Sequence, residues 1–303
     1  MRPIAILQHE DDDPPGSIAV ALRDLAVPFE VRLLHAGDPL PVWPDEASGV
    51  ISMGGAMHVT QERAFPFLAA EKRLLRRIHH EGGPVWGVCL GAQILTEAVG
   101  GSVYRRRSPE VGWVEIEKLV DDPLLHGISS PFVAFNWHEY SFTLPATAHA
   151  VAERRDGLQV YRAGGRSWAT QFHPEVDAAM APHWVEDAVK EQKHLGAEFA
   201  ARLQADTDRY LPGYPAFCAK LTENFVPAAR PSPVASPSLR LDRRCRRPSY
   251  RLDRQRRPSA PPVCSSLGPS RSSPGTRMPR RWSEHGNVEP CPEKRQPDGE
   301  SGL

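Results

Sequence analysis

The stretch Pro84-Val85-Trp86-Gly87-Val88-Cys89-Leu90-Gly91-Ala92-Gln93 reads as a buried strand, a Gly-x-Cys-x-Gly turn and the opening of a helix. A residue on so sharp a strand-to-helix turn takes a strained backbone conformation, and flanking glycines remove the side chains that would clash. The helix beyond presents its backbone N–H groups and positive dipole end to Cys89, which favours the reactive thiolate. A single cysteine is ordinarily a small buried hydrophobe. Here the glycine spacing and the strand-to-helix position set it apart.

Around this segment, helical and strand patterns alternate. Residues 64–80 have helical periodicity with Leu68, Leu74, Leu75 and Ile78 on one stripe, stopped by Gly82-Gly83. Residues 94–99 continue the helix after Cys89 and close at Gly100-Gly101. Residues 3–8, 29–34 and 49–53 read as strands, and residues 17–26 as a helix. This alternation predicts an α/β fold with a mostly parallel central sheet and helices on both faces. From Val111 onward the character changes, with strands expected at 114–118, 133–137, 158–162 and 167–172. A long helical stretch follows, from Ala179 to about Ala205.

Composition bounds the rest. The chain has 303 residues, 37 basic against 37 acidic, and 40% hydrophobic. No apolar run approaches the roughly 18 residues a membrane helix needs. Residues 1–8 lack the features of a secretory signal. Five cysteines, none in C-x-x-C spacing, argue against a disulfide framework or a structural zinc site and for a reducing, cytoplasmic setting. The even charge hides a division. Residues 230–303 carry 15 Arg and one Lys against seven acids, a balance of +9, so residues 1–229 stand at −9. That tail holds 13 of the 31 prolines and only nine residues from Ile, Leu, Val, Met and Phe. It buries too little to offset its ordering entropy and is expected to be disordered, leaving 1–229 as the folded domain. The tail reads as a non-functional extension, a partner-docking arm or a non-specific binder of nucleic-acid phosphates; it lacks the interleaved aromatics of nucleic-acid platforms.

Two further segments carry chemistry. In Gln171-Phe172-His173-Pro174-Glu175, His173 and Glu175 stand two apart at a strand end, so their side chains leave on the same side. The carboxylate can then fix the imidazole tautomer while the other ring nitrogen serves a thiol. With Cys89 they supply nucleophile, base and orienting group. In Ser52-Met53-Gly54-Gly55-Ala56, a Gly-Gly pair after a buried strand can turn its amides outward as oxyanion donors beside the Leu90 amide. Asp11-Asp12-Asp13 reads as a solvated loop, at the sheet end where loops can reach an active site. His79-His80 reads as satisfying a helix end, and Cys218 as buried.

Together these segments resemble the class I (triad) glutamine amidotransferases over about residues 1–190. Gly87-Val88-Cys89-Leu90-Gly91-Ala92-Gln93 is similar to the family's nucleophile signature and Gln171-Phe172-His173-Pro174-Glu175 to its second signature. Glu110-Val111-Gly112-Trp113, and Trp137-His138 with Phe142 and Pro145, resemble segments of the free-standing members that are similar to the amidotransferase domain of GMP synthase. The resemblance implies a flavodoxin-like fold, Cys89 as nucleophile, His173 as base then acid, and Glu175 as its orienter. It further implies oxyanion donors at the Gly54-Gly55 turn and Leu90, and a glutamine pocket lined by Gln93, Trp137 and His138. No metal or organic cofactor is implied. Tyr140 departs from the family, standing where many members carry a carboxylate, with Glu139 beside it. No G-x-x-x-x-G-K-[ST] phosphate loop occurs, so ammonia would go to a separate synthetase partner or simply be released. Three readings remain open: a glutamine-hydrolysing amidotransferase, a γ-glutamyl hydrolase acting on a peptide or amine conjugate, and a non-catalytic binding module of the same fold.

Overall fold

The computed structural model describes residues 2–155 and 157–229. Its strands, in chain order, are β1 (Ile4–Gln8), β2 (Phe29–Leu33), β3 (Gly49–Ser52), β4 (Val85–Val88), β5 (Val103–Lys118), β6 (Phe132–Phe142), β7 (Ala148–Arg154), β8 (Gly157–Ala163) and β9 (Ser167–Thr170). The helices are α1 (Gly16–Asp24), α2 (Phe67–His80), α3 (Leu90–Ala98), α4 (Ala181–Glu191), α5 (Gly196–Tyr210) and α6 (Tyr214–Ala229). The strands form one sheet in the order β2-β1-β3-β4-β9-β8-β7-β5-β6. The first five in that order run parallel, and the pairings from β9 onward are antiparallel.

The parallel centre follows from the apolar runs. β1, β3, β4 and β9 are buried at nearly every residue, as strands covered on both faces must be. Alternation then divides them between two cores. Ile4, Ile6, Ile51, Trp86 and Val88 pack with residues of α1 and α6 on one face. Ala5, Leu7, Val50 and Val85 pack with α2 and α3 on the other. Phe225 of α6 sits between two indoles, with centroids 5.7 Å from Trp86 and 6.2 Å from Trp168. The expected flavodoxin-like arrangement, helices on both faces of a sheet with a parallel centre, is what the chain adopts.

Several elements differ from the expectation. The strands expected at 114–118 and 133–137 are the inner ends of β5 and β6, which run on through Arg105 to Arg107 and through His138 to Phe142. The outer part of β5 is polar and largely exposed, so alternation fades there. The helical stretch from Ala179 breaks before Gly196, which adopts φ +75°, so it forms α4 and α5. The sequence does not mark α6 because Pro215 and Pro227 obscure its pattern and apolar Ala216, Phe217 and Ala219 lie outside its single buried stripe. No helix among the described residues is long and apolar enough to cross a membrane. The chain divides into units Met1–Ser238 and Leu239–Leu303; residues 230–303, and with them the expected disordered tail, lie outside the described residues.

Candidate active site

Cys89 is the hinge between β4 and α3, with φ +47° and ψ −102°. Its glycine neighbours have a steric reason. A Cβ on Gly87 would lie 2.5 Å from the Gly91 carbonyl oxygen, and one on Gly91 would lie 2.1 Å from that of Ser52. The backbone can therefore fold back on its own strand and press against β3 only if both positions are glycine. The Cys89 amide donates to Thr170 O at 2.9 Å, tying the turn to β9. The thiol is nearly buried, 3.8 Å from the Trp137 carbonyl and 3.7 Å from the Gln171 side-chain amide. It lies within hydrogen-bonding reach of the His173 ring.

His173 follows β9 by three residues, and its Nδ1 meets Glu175 Oε1 at 2.7 Å. That pairing leaves Nε2 for the thiol. Burial works against protonation of the ring, but the charges and hydrogen bonds of Cys89 and Glu175 outweigh it and raise His173 well above the ordinary histidine range. The main chain here is pinned from two sides. His173 N donates to Phe135 O at 2.8 Å, while the Tyr214 hydroxyl donates to His173 O at 3.0 Å and accepts from Phe135 N at 3.1 Å. Trp184 stands edge-on to the imidazole, with centroids 4.9 Å apart.

The Gly54-Gly55 turn ends β3 beside Cys89. Gly54 O accepts from His9 Nδ1 at 2.8 Å; His9 Nε2 meets Glu71 Oε2, also at 2.8 Å, and Ser52 Oγ donates to Glu71 at 2.6 Å. All three side chains are buried. Burial disfavours a charged His9, but Glu71 and the Gly54 carbonyl prevail and raise its pKa. In a trans peptide the N–H points opposite the carbonyl. Fixing Gly54 O on His9 therefore turns the Gly55 N–H away from His9. A Cβ on Gly55 would lie 3.1 Å from Leu90 Cδ2, so the turn abuts the start of α3. Among the described residues the Gly55 and Leu90 amides have no turn or cap partner, whereas Ala56 N is taken by Glu10 and Gly91 N by Met53 O. Two free amides beside a thiol can hold a developing oxyanion.

The outer end of β6 brings the remaining expected residues. Gln93 Nε2 donates to Tyr140 O at 3.3 Å. The Trp137 indole reaches Glu191 Oε2 at 3.3 Å. His138 uses both ring nitrogens within the protein, on Tyr140 O at 2.8 Å and Glu110 Oε2 at 2.9 Å, so it shapes the wall through Glu110 rather than offering a free nitrogen. Glu110 also accepts from Arg154 and from Gln159, at 2.9 Å from the latter. Burial opposes its ionisation, yet His138, Arg154 and Arg106 hold its pKa down to about 2. The Tyr140 ring lies on His58 with centroids 3.7 Å apart. Glu139 instead pairs with Arg105 at 3.1 Å. Strand alternation sends Glu139 to the opposite side from Tyr140, so it does not replace the carboxylate that Tyr140 lacks.

Sequence reading missed Asp13, His9, Glu71 and Tyr214. A solvated loop holds for Asp11, which is exposed and meets His35 at 2.9 Å, but fails for Asp13, which is buried beside His173 and Glu175. Nothing in the local pattern marks it; only the packing of the β1–α1 loop does. His79 bonds Ser167 Oγ at 3.0 Å rather than helix carbonyls, and Cys218 is fully buried as expected. Asp13, His173 and Glu175 are the one group among the described residues whose ligand atoms gather closely enough for a metal ion. The imidazole and Glu175 are already engaged with each other.

Fold and site together define an α/β protein with a cysteine on a strand–helix elbow, facing a His–Glu pair and two free amides. The chain belongs to the class-I glutamine amidotransferase family, whose model matches residues 16–191. It is 33% identical over 161 residues to GMP synthase [glutamine-hydrolyzing] of Aeropyrum pernix, a match covering 52% of this chain and 30% of that protein. It is 31% identical over 169 residues to imidazole glycerol phosphate synthase subunit HisH of Halobacterium salinarum, covering 47% and 74% respectively. Among solved structures, a glutamine amidotransferase of Thermotoga maritima superposes with a TM-score of 0.67 at 28% identity, over 74% of this chain and 98% of that one. The chain thus spans under a third of the GMP synthase it matches.

Proposed function

We propose that this chain hydrolyses the side-chain amide of L-glutamine to glutamate and ammonia. The observation that carries the reading is Cys89 at positive φ at the head of α3, within reach of a histidine whose far nitrogen is held by Glu175. The Cys89 thiolate attacks the amide carbon and a C–S bond forms, its oxyanion resting on the Gly55 and Leu90 amides. Protonated His173 gives its proton to the departing nitrogen, the C–N bond breaks and ammonia leaves. Water, deprotonated by His173, then cleaves the γ-glutamyl thioester and frees glutamate and the thiolate. The chain works as a free-standing amidotransferase, with a separate synthetase as ammonia acceptor. Glutamate release from L-glutamine by the purified chain, with Cys89→Ala as control, tests this. Release abolished in the control is expected; none from the folded wild type overturns the reading.

One observation favours a second substrate class. Tyr140 occupies the position where the family resemblance calls for a carboxylate, and Glu139 is turned to Arg105. A γ-glutamyl amine or peptide conjugate as substrate is consistent with that change. Turnover of such a conjugate much faster than glutamine would decide for it.

A further inference from the structure

We propose that Asp13 is a positioning residue for the triad: held as the neutral acid, it donates its carboxyl proton to Glu175 and fixes the carboxylate that orients His173. This inference rests on the reading of Cys89, His173 and Glu175 as a working triad.

Three observations carry it. The first is a pair of orphaned acceptors. Asp13 Oδ1 and Glu175 Oε2 are both buried with no donor to accept from, although the two carboxyl groups lie within hydrogen-bonding reach of one another. Two buried carboxylates in contact cannot both be ionised at ordinary cost, whereas one proton between them satisfies both oxygens. Glu175 already accepts from His173 at 2.7 Å, so the proton belongs on Asp13. The second is the fit. A Cβ on Gly54 would lie 2.1 Å from Asp13 Oδ2 and 2.8 Å from His173 Cε1. The Asp13 carboxyl is thus seated against the bare backbone of the oxyanion turn, next to the imidazole, where no other residue at 54 would admit it. The third is that the loop carrying Asp13 is held. Asp12 O accepts from Trp184 Nε1 at 3.1 Å, and Ser17 N donates to Glu175 O at 2.9 Å.

The titratable groups facing Asp13 are Glu175, His173 and Glu10. Burial, then the Glu175 charge, push Asp13 well above the ordinary carboxylate range, against the pull of His173. As the neutral acid it adds no second anion beside the imidazole. It also leaves Glu175 a single geometry, facing Nδ1.

The test is the pH profile of Cys89 alkylation by iodoacetamide in the full chain, which needs no turnover of glutamine. Asp13→Asn keeps a neutral donor and is expected to leave the profile in place with rates within about twofold. Asp13→Ala removes the donor and is expected to slow alkylation near neutral pH about tenfold, the scale of losing a partner that orients a working group. Infrared spectra of the wild type at neutral pH should carry a protonated-carboxyl band that Asp13→Asn lacks. Absence of that band overturns the proposal. So does an Asp13→Asn profile whose imidazolium limb moves down by a pH unit, the direction expected when a negative charge beside the ring is lost. A wild-type Cys89 no faster than a free thiol withdraws the triad and this inference together. A reactive Cys89 indifferent to Asp13→Ala withdraws this inference alone.

Discussion

Glu110 shows how a single carboxylate can carry both a wall of the site and a pH dependence. Its folded pKa of about 2 lies below its reference value of 4.5, so the unfolded chain takes up the proton first as pH falls. The stability it contributes is present above about 4.5 and drains away towards 2. Glu110→Gln is neutral throughout. Melting temperatures of wild type and variant should therefore stand furthest apart at neutral pH and converge between pH 4.5 and about 2. A gap that stays constant across that window would refute the assignment. Legibility at this scale followed the chemistry. Cys89, His173 and Glu175 lie in short motifs whose neighbours are dictated by backbone geometry, and they could be read directly. Asp13 and His9 act through contacts made by residues 40 to 160 positions away, and no local spacing announces such contacts.

Among the elements, α6 braces the main chain of the site. Its first residue, Tyr214, bridges Phe135 N and His173 O with one hydroxyl. Tyr214→Phe keeps the ring packing on Trp113 and Phe217 but leaves a buried amide and carbonyl without that partner. Urea unfolding should register a loss of about 1–3 kcal/mol. The same variant should alkylate more slowly at Cys89, because the His173 main chain loses one of its two anchors; unchanged stability and unchanged alkylation would discard this account. α6 was also the element least legible in the sequence. Its buried residues form one stripe, but Ala216, Phe217, Ala219 and Ala228 outside it leave little polar contrast to mark the period, and prolines near both ends read as breaks. The extended end of β5 was missed for a different reason: largely exposed, it lacks the alternation that a half-buried strand displays.

For the molecule as a whole, we place the end of the folded domain at residue 229. A chain of residues 1–229 should melt cooperatively and alkylate at Cys89 like the full chain. One cut after residue 213 loses α6, bares Trp86 and Trp168, and should show red-shifted tryptophan emission with no cooperative transition. Retention of a sharp melt by the shorter chain would move the boundary inward. The order in which these parts are made has its own result. Cys89, His173 and Glu175 are all joined into the chain before the helix that anchors His173 exists, and 54 residues separate Glu175 from the end of α6. At about 5–20 residues per second, a ribosome needs roughly 3–11 seconds to cover that distance. During those seconds the nascent chain carries Cys89, His173 and Glu175 but not the helix that anchors the His173 main chain. Biosynthesis therefore imposes a delay, and the thiol comes under the control of its histidine only when translation has passed the last helix.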